Sequence, residues 1–395
     1  MNSRIISVIF VVIAATATGI GIIGPLMPVY AQQMGATGFG LGIIFAAFAA
    51  TRMILTPVVG RISDRFGRKW FLLTGLVAFT VLSLGYISST TVLHLMLLRL
   101  AHGATSALVI PIAFAYIGDI TPEKEEGRYM SIINMAIFVG MGIGPFAGGH
   151  LADAYGIRSA FWALFGFGGF AFLLALILLP DVRVRRFDHR EKQPPLREIL
   201  SNPLVGGLLT IRAGSAVRRA VVMAFLPVFA DSIGLTKTHM GAMISVFILG
   251  AALMQYPAGV LADKYSRIRI VVIGEVFATI CFAFFPVVKS FPHLLAVGGF
   301  AGIAGGLAMP SVLAINTEVG RDYGMALMMG LFDAAMGFGM LFGALTAGAV
   351  MDIVGIKAVF YYGVFMGVAA IACFALLARR HHRRQAASLS QGMNA

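Results

Sequence analysis

Apolar residues run in long blocks along this 395-residue chain, separated by short polar segments that carry most of its charge. A block of about 20 apolar residues is long enough to cross a ~30 Å hydrocarbon layer as an α-helix. Such blocks fall at 5–30, 38–60, 70–89, 92–118, 129–152 and 159–180, and again at 203–230, 239–261, 270–288, 293–317, 326–350 and 358–378. The pattern predicts twelve transmembrane spans, six on each side of a polar stretch at 181–202. The two sets are copies of one unit. Residues 60–69 read GRISDRFGRK and return in weakened form as GVLADKYSRIR at 259–269, 199 residues further on. The same offset carries Pro28 to Pro227, Gly35 to Gly234, Gly103 to Gly302, Pro111 to Pro310, Asp64 to Asp263, Asp119 to Glu318 and Asp153 to Asp352. Helix breakers and loop acids that recur together at half the chain length indicate a duplicated domain, not a solenoid of short repeats. The fold class that follows is an all-α integral membrane protein of two six-helix bundles related by an internal repeat.

Composition agrees: 59% of residues are apolar, 12% are charged and the mean hydropathy is +0.89, where a soluble domain has about one quarter charged. The formal charge of +13 would suggest nucleic acid in a soluble protein, but here the cations are sorted by side. Polar segments on the side of the N-terminus hold 21 Lys and Arg, and those on the other side hold four: Arg158, Lys237, Lys289 and Lys357. The positive-inside rule then places both termini and the 181–202 connector in the cytoplasm, in an inner or plasma membrane. Contact with lipid head groups is a lesser use of that charge, and nucleic acid is not a partner. The first span has the look of a signal peptide, with Arg4 ahead of an apolar run, but the pairing of Pro28 with Pro227 makes it a structural member of its half. The expected organisation is an N-terminal bundle at 1–180, a cytoplasmic linker at 181–202, a C-terminal bundle at 203–378 and a basic, disordered tail at 379–395. Cys281 and Cys373 lie in apolar spans and supply neither a disulfide framework nor a metal spacing, and no cofactor is expected.

Charges inside the bilayer are costly and normally face a cavity or a partner. The cations are Arg52 in the second span, Arg99 in the fourth and Arg212, Arg218 and Arg219 in the seventh; the acids are Glu275 in the ninth and Asp333 in the eleventh. Asp333 is the candidate for proton coupling. Its repeat partner is Asn134, so one half kept an amide where the other gained a titratable group. The alternative is a static ion pair with Arg212, which lies at similar depth. Glu275 is only some five residues inside its span and can snorkel to the surface. Arg212 and Arg219, seven apart, share a face that suits a cavity together with Arg52 and Asn134, while Arg218 points elsewhere. Arg99 and His102 also share a face and form the second candidate proton site, since histidine titrates near neutral pH; the plainer reading of His102 is a hydrogen-bonded helix contact.

Two glycine-bearing segments remain. Gly140, Gly144 and Gly148 form one stripe in the fifth span, where missing side chains let another helix approach, with Pro145 bending the helix and Gly149 beside it. The stripe serves either as simple packing or as the sliding contact between halves. In the loop at 60–69, Gly60 permits close approach and Asp64 suits a helix N-terminus, where a carboxylate gains roughly 0.3–1 kcal/mol.

These segments carry a resemblance. The G-x-L-A-D-R-x-G-R-K pattern of the major facilitator superfamily is matched by Gly60, Asp64, Arg65, Gly67, Arg68 and Lys69, departing mildly at Ile62 and Ser63. The G-x-x-x-G-P-x-x-G-G pattern of its twelve-helix drug/proton antiporters is matched by Gly140, Gly144, Pro145, Gly148 and Gly149; its repeat in the eleventh span (Gly339, Gly343, Ala344, Gly348) is weaker. Arg99 to Gly103 resembles R-x-x-Q-G, with His102 in place of Gln. The resemblance implies that Asp64, with Asp263 as its repeat partner, is a latch that meets the start of the eleventh span in the outward-facing state. It also implies a bend at Pro145 that biases the cavity toward export.

No GxxxxGKS or GxxxxGKT phosphate loop, HExxH metal motif or GxSxG elbow is present in the sequence, so neither ATP-driven transport nor catalysis is supported. The expectation is a monomeric secondary transporter, not an enzyme, that exports a small amphiphilic molecule in exchange for protons by rocking of the two bundles. A transporter of an organic anion is the alternative, because five intramembrane cations face two acids. A non-transporting membrane sensor or scaffold is the reading from another class, and the retained latch and buried charges count against it.

Overall fold

The structure, a computed structural model, describes residues 2–121, 125–181 and 195–392. The first apolar block forms two helices, α1 (Asn2–Ile23) and α2 (Leu26–Gln33), because Gly24-Pro25 interrupts the backbone ladder. Then come α3 (Gly38–Phe66), α4 (Arg68–Ser88), α5 (Val92–Ile120), α6 (Glu126–Tyr155) and α7 (Ile157–Leu178). After the short α8 (Leu196–Ser201), the second half holds α9 (Pro203–Ser232), α10 (Lys237–Lys264), α11 (Arg267–Phe284), α12 (Phe291–Tyr323), α13 (Met325–Val354) and α14 (Ile356–Gly392). Among the described residues there is no strand. Eleven segments are long and apolar enough to cross a membrane, with α1 and α2 counting as one. The expected ninth span, α11, is not among them: its 18 residues include Arg267, Arg269 and Glu275.

Consecutive long helices run in alternate directions, so the start of α1, the end of α14 and the 60–69 segment lie at one end, the terminal end, and the turns near 34–37 and 233–236 lie at the distal end. The repeat is visible in local geometry. Gly35 and Gly234 take φ of 85° and 78°, and Gly156 and Gly355 take 84° and 112°, backbone values that favour glycine. The Thr37 hydroxyl accepts from Gly40 N at 3.1 Å, and its copy Thr236 accepts from His239 N at 3.3 Å, so the same N-cap starts the second helix of each half.

Each half packs mainly on itself: α1 against α6 and α7 and α3 against α5 in the first, α9 against α13 and α14 and α10 against α12 in the second. The halves join through α3 against α13 and α6 against α10. Two expectations about ends are corrected. The 60–69 segment is not a loop, since α3 runs on to Phe66 and only Gly67, at φ 94°, breaks the helix. Polar residues beyond an apolar block still favour helix when water can reach them. For the same reason α14 continues to Gly392 through the tail expected to be disordered; the linker residues 182–194 lie outside the described residues.

Candidate functional site

At the distal end the fifth long helix of each half caps the second helix of the other. Asp352, near the end of α13, accepts from Gly38 N at 2.6 Å and from Phe39 N at 2.8 Å. Asp153, near the end of α6, accepts from Lys237 N at 3.1 Å, Thr238 N at 2.8 Å and the Thr238 hydroxyl at 2.6 Å. Each carboxylate satisfies N–H groups left free by the first helical turn and meets the positive end of the helix dipole. All members are repeat pairs, so the contact is made twice about one pseudo-twofold axis. Backbone is tight around it: a Cβ on Gly38 would lie 2.7 Å from Gly348 O, on Gly348 2.3 Å from Gly38 O, and on Gly149 2.2 Å from Lys237 O. One turn deeper, a Cβ on Gly42 would meet Ala344 O at 2.5 Å and its copy on Gly241 would meet Pro145 O at 2.1 Å.

At the terminal ends no hydrogen bond or ion pair joins α3 to α13 among the described residues. A Cβ on Gly60 or on Gly259 would meet no atom within 4 Å. Asp64, 54% exposed, pairs with Arg68 at 2.5 Å and not with α13. Arg68 is buried and also holds Asp119 at 2.9 Å and the Ser63 hydroxyl at 2.6 Å. Arg267 and Glu318 repeat the second contact at 2.9 Å with both side chains more exposed. Arg65 and Asp263 are exposed and Lys69 is half-buried. The distal end is therefore closed and the terminal faces of α3 and α10 are free.

The glycine stripe of α6 is not the contact between halves. Gly140, Gly144 and Gly148 pack on α1 in their own half, where a Cβ would approach Ala14 O, Thr18 O and Ile22 O within 2.6 Å. The neighbouring face of α6 makes the crossing instead, through Gly149, the Pro145 carbonyl and a bond from Phe146 N to the Ser245 hydroxyl at 3.1 Å. A spacing of four specifies a face but not which neighbour it meets.

Between the helices lies a cavity of about 200 Å³, lined chiefly by the second half, with Phe138 from the first. Arg212, Arg218, Arg219, Gln255 and Glu275 line it among Phe247, Phe282, Met309 and Met336. Arg218 and Glu275 form an ion pair, each only 4% exposed, so Glu275 does not snorkel and Arg218 is turned into its own half. Among the described residues Arg212 finds no carboxylate within ion-pair distance. Its terminal nitrogens end on the sulfurs of Met309 at 3.3 Å and Met336 at 2.8 Å, its guanidinium lies 4.5 Å from the centre of the Phe332 ring, and Nε has no partner. The alternative static ion pair of Arg212 with Asp333 is not formed: the charge of Asp333 reaches Arg212 and Arg52 only through the field, and that of Arg52 reaches Arg219 across the halves. Asp333, Asn134 and Arg219 are exposed, and Arg52, Asn134 and Asp333 are not part of the cavity lining.

Arg99 and His102 sit elsewhere, enclosed in the first half. The Arg99 guanidinium stacks 5.0 Å and 4.7 Å from the Phe45 and Phe48 ring centres. His102 Nδ1 lies 3.2 Å from the Tyr86 hydroxyl, with Phe48 and Phe79 edge-on to its ring. Sequence reasoning missed the roles of Asp153, Asp352 and the Arg218–Glu275 pair; the conserved offset between the two aspartates was the available signal for the first.

Two repeated helical bundles, locked together at one end and holding a charged cavity between transmembrane helices, are the architecture of a membrane transporter. The sequence profile of the Major Facilitator Superfamily matches residues 9–217 and 208–393, and the chain belongs to that superfamily. It is 32% identical to an MFS-type transporter of Methanocaldococcus jannaschii over 91% of this chain and 95% of that one. It is 28% identical to multidrug resistance protein 2 of Bacillus subtilis over 85% and 86%. Its fold matches the inward-facing, unoccupied crystal structure of a bacterial homologue of the human lysosomal transporter Spinster, with a TM-score of 0.80 at 16% identity over 97% and 98% of the two chains.

Proposed function

We propose that this protein exports small amphiphilic compounds in exchange for protons, working as a monomer by alternating access, with both termini in the cytoplasm and α11 as a twelfth crossing. The observation that carries the reading is the difference between the ends: the same helices are capped across the halves at the distal end and free at the terminal end. A structure closed outside and open inside is the state that loads an exported compound. The Phe and Met walls of the cavity suit an apolar body, and the similarity to a multidrug resistance protein supports outward movement. When the distal contacts release, Asp64 leaves Arg68 and caps the start of α13, closing the terminal end. Asp333, which has no hydrogen bond or ion pair among the described residues, is the proton site. The test is a panel of aromatic cations, neutral compounds and anions screened by thermal shift in detergent, then proton flux with any hit in proteoliposomes. Coupled proton entry and compound exit is expected, and Asp333→Asn should retain exchange while ending gradient-driven export. Export that persists unchanged in Asp333→Asn overturns the assigned coupling.

A further inference from the structure

Resting on the export reading, we infer that the exported compounds are small aromatic carboxylates, held by Arg212 once its guanidinium gives up the sulfurs of Met309 and Met336. The internal repeat marks this corner of the cavity as specialised. Arg212, Arg219, Met309, Phe332 and Met336 stand where the first half has Ile13, Ile20, Ile110, Ile133 and Ile137. Isoleucines at all five positions are ordinary apolar packing, whereas a cation among transmembrane helices is costly unless a partner meets it. Arg218 has that partner in Glu275. Arg212 has none among the described residues: its terminal nitrogens donate only to thioether sulfur, a weak acceptor, and its Nε donates to nothing. The Phe332 ring, 4.5 Å away, covers one face of the guanidinium, so its remaining binding capacity lies in the plane of its N–H donors. A planar carboxylate accepts two such bonds at once. Met309 and Met336 line the cavity beside Arg212, and their flexible side chains can swing aside for it. Arg219, two turns further along the same face of α9, also lines the cavity and adds to its positive potential. Size limits the rest of the ligand. An apolar cavity of about 150 Å³ takes benzene, so the space here, about 200 Å³, suits one ring with its carboxyl group. An anion leaving against an entering proton moves two charges in the direction that an inside-negative membrane potential favours, so an acid is compatible with exchange.

The experiment uses the purified full-length protein in detergent and three ligands of one shape, 4-methylbenzoate, 4-methylbenzamide and 4-methylbenzylamine, titrated by calorimetry. The acid is expected to bind about tenfold tighter than the amide, and the amine weakest. Arg212→Met should remove the advantage of the acid over the amide while the amide still binds as in the wild type, which controls for folding. Met309→Leu combined with Met336→Leu keeps the side-chain volume but removes the competing sulfurs, and should tighten binding of the acid severalfold without changing that of the amide. Acid and amide binding equally to the wild type, preference for the amine, no binding of any member, or an acid that binds no tighter to the double methionine variant overturns the inference. Proton-driven export of the amide or amine without a preference for the acid leaves the export reading standing and removes this inference; a preference for the acid with the expected variant pattern but no proton-driven movement does the reverse.

Discussion

The two halves agree at their ends and differ in their middles. At the distal end Asp153 and Asp352 make one contact twice, and at the terminal end Arg68–Asp119 returns as Arg267–Glu318. In the interior the copies diverge: Arg218 and Glu275 stand where the first half has Gly19 and Leu76, Arg212 where it has Ile13, and Asp333 where it has Asn134. Conversely His102 and Tyr86 correspond to Ala301 and Phe285. A rocking motion loads both halves alike, so the residues that lock it gain from staying symmetric. A bound molecule without twofold symmetry makes no such demand, and polar chemistry has gathered mainly on one side.

The comparison breaks most sharply at the buried pair. Glu275→Leu, which gives the second half the residue of the first, leaves the Arg218 charge alone in the interior and should cost about 3–5 kcal/mol. Adding Arg218→Met should recover most of that; thermal unfolding in detergent reads both, and an unaffected single variant would show that the pair is not buried. Next are the repeat-related arginines. Arg68→Ala strands an Asp119 whose side chain is 5% exposed and should cost about 3 kcal/mol. Arg267→Ala, from a pair 36% and 68% exposed, should cost less than about 1 kcal/mol, and equal losses would refute the asymmetry.

Glycine variants separate packing within a half from contact between halves. Gly144→Ala overpacks α6 on α1 and should lower stability by about 1–3 kcal/mol. Gly348→Ala strikes the Gly38 backbone across the halves, so it should shift the molecule toward the distal-open state while each half stays folded. Spin labels on the exposed repeat pair Thr90 and Lys289 would report that shift as a longer distance. Asp153→Asn and Asp352→Asn should each weaken one cap by about 1 kcal/mol. The two should be equal in the same distance measurement; a difference would mean that the distal contacts are not mechanically equivalent.

Much of this protein is local and was readable along the chain. Apolar blocks of spanning length located the helices, though not the break between α1 and α2, and the 199-residue offset located the halves and their matching turns. The presence of unusual charges inside the membrane was also plain, since each is a departure from an apolar background. Their partners were not, because partnership depends on how helices distant in sequence are rotated and placed. Glu275 read as shallow enough to snorkel, and only the packing of α11 on α14 and α12 turned it inward to Arg218. The glycine stripe of α6 announced a close neighbour without saying that it is α1. Asp153 and Asp352 were ordinary loop acids until the arrangement of the two bundles set each against the first turn of a helix in the other half. Span length and helix breaking are properties of contiguous residues, and the sequence by itself determined them; which charge is neutralised, which is left bare and which end is shut are properties of two bundles in contact, and only the tertiary structure decided them.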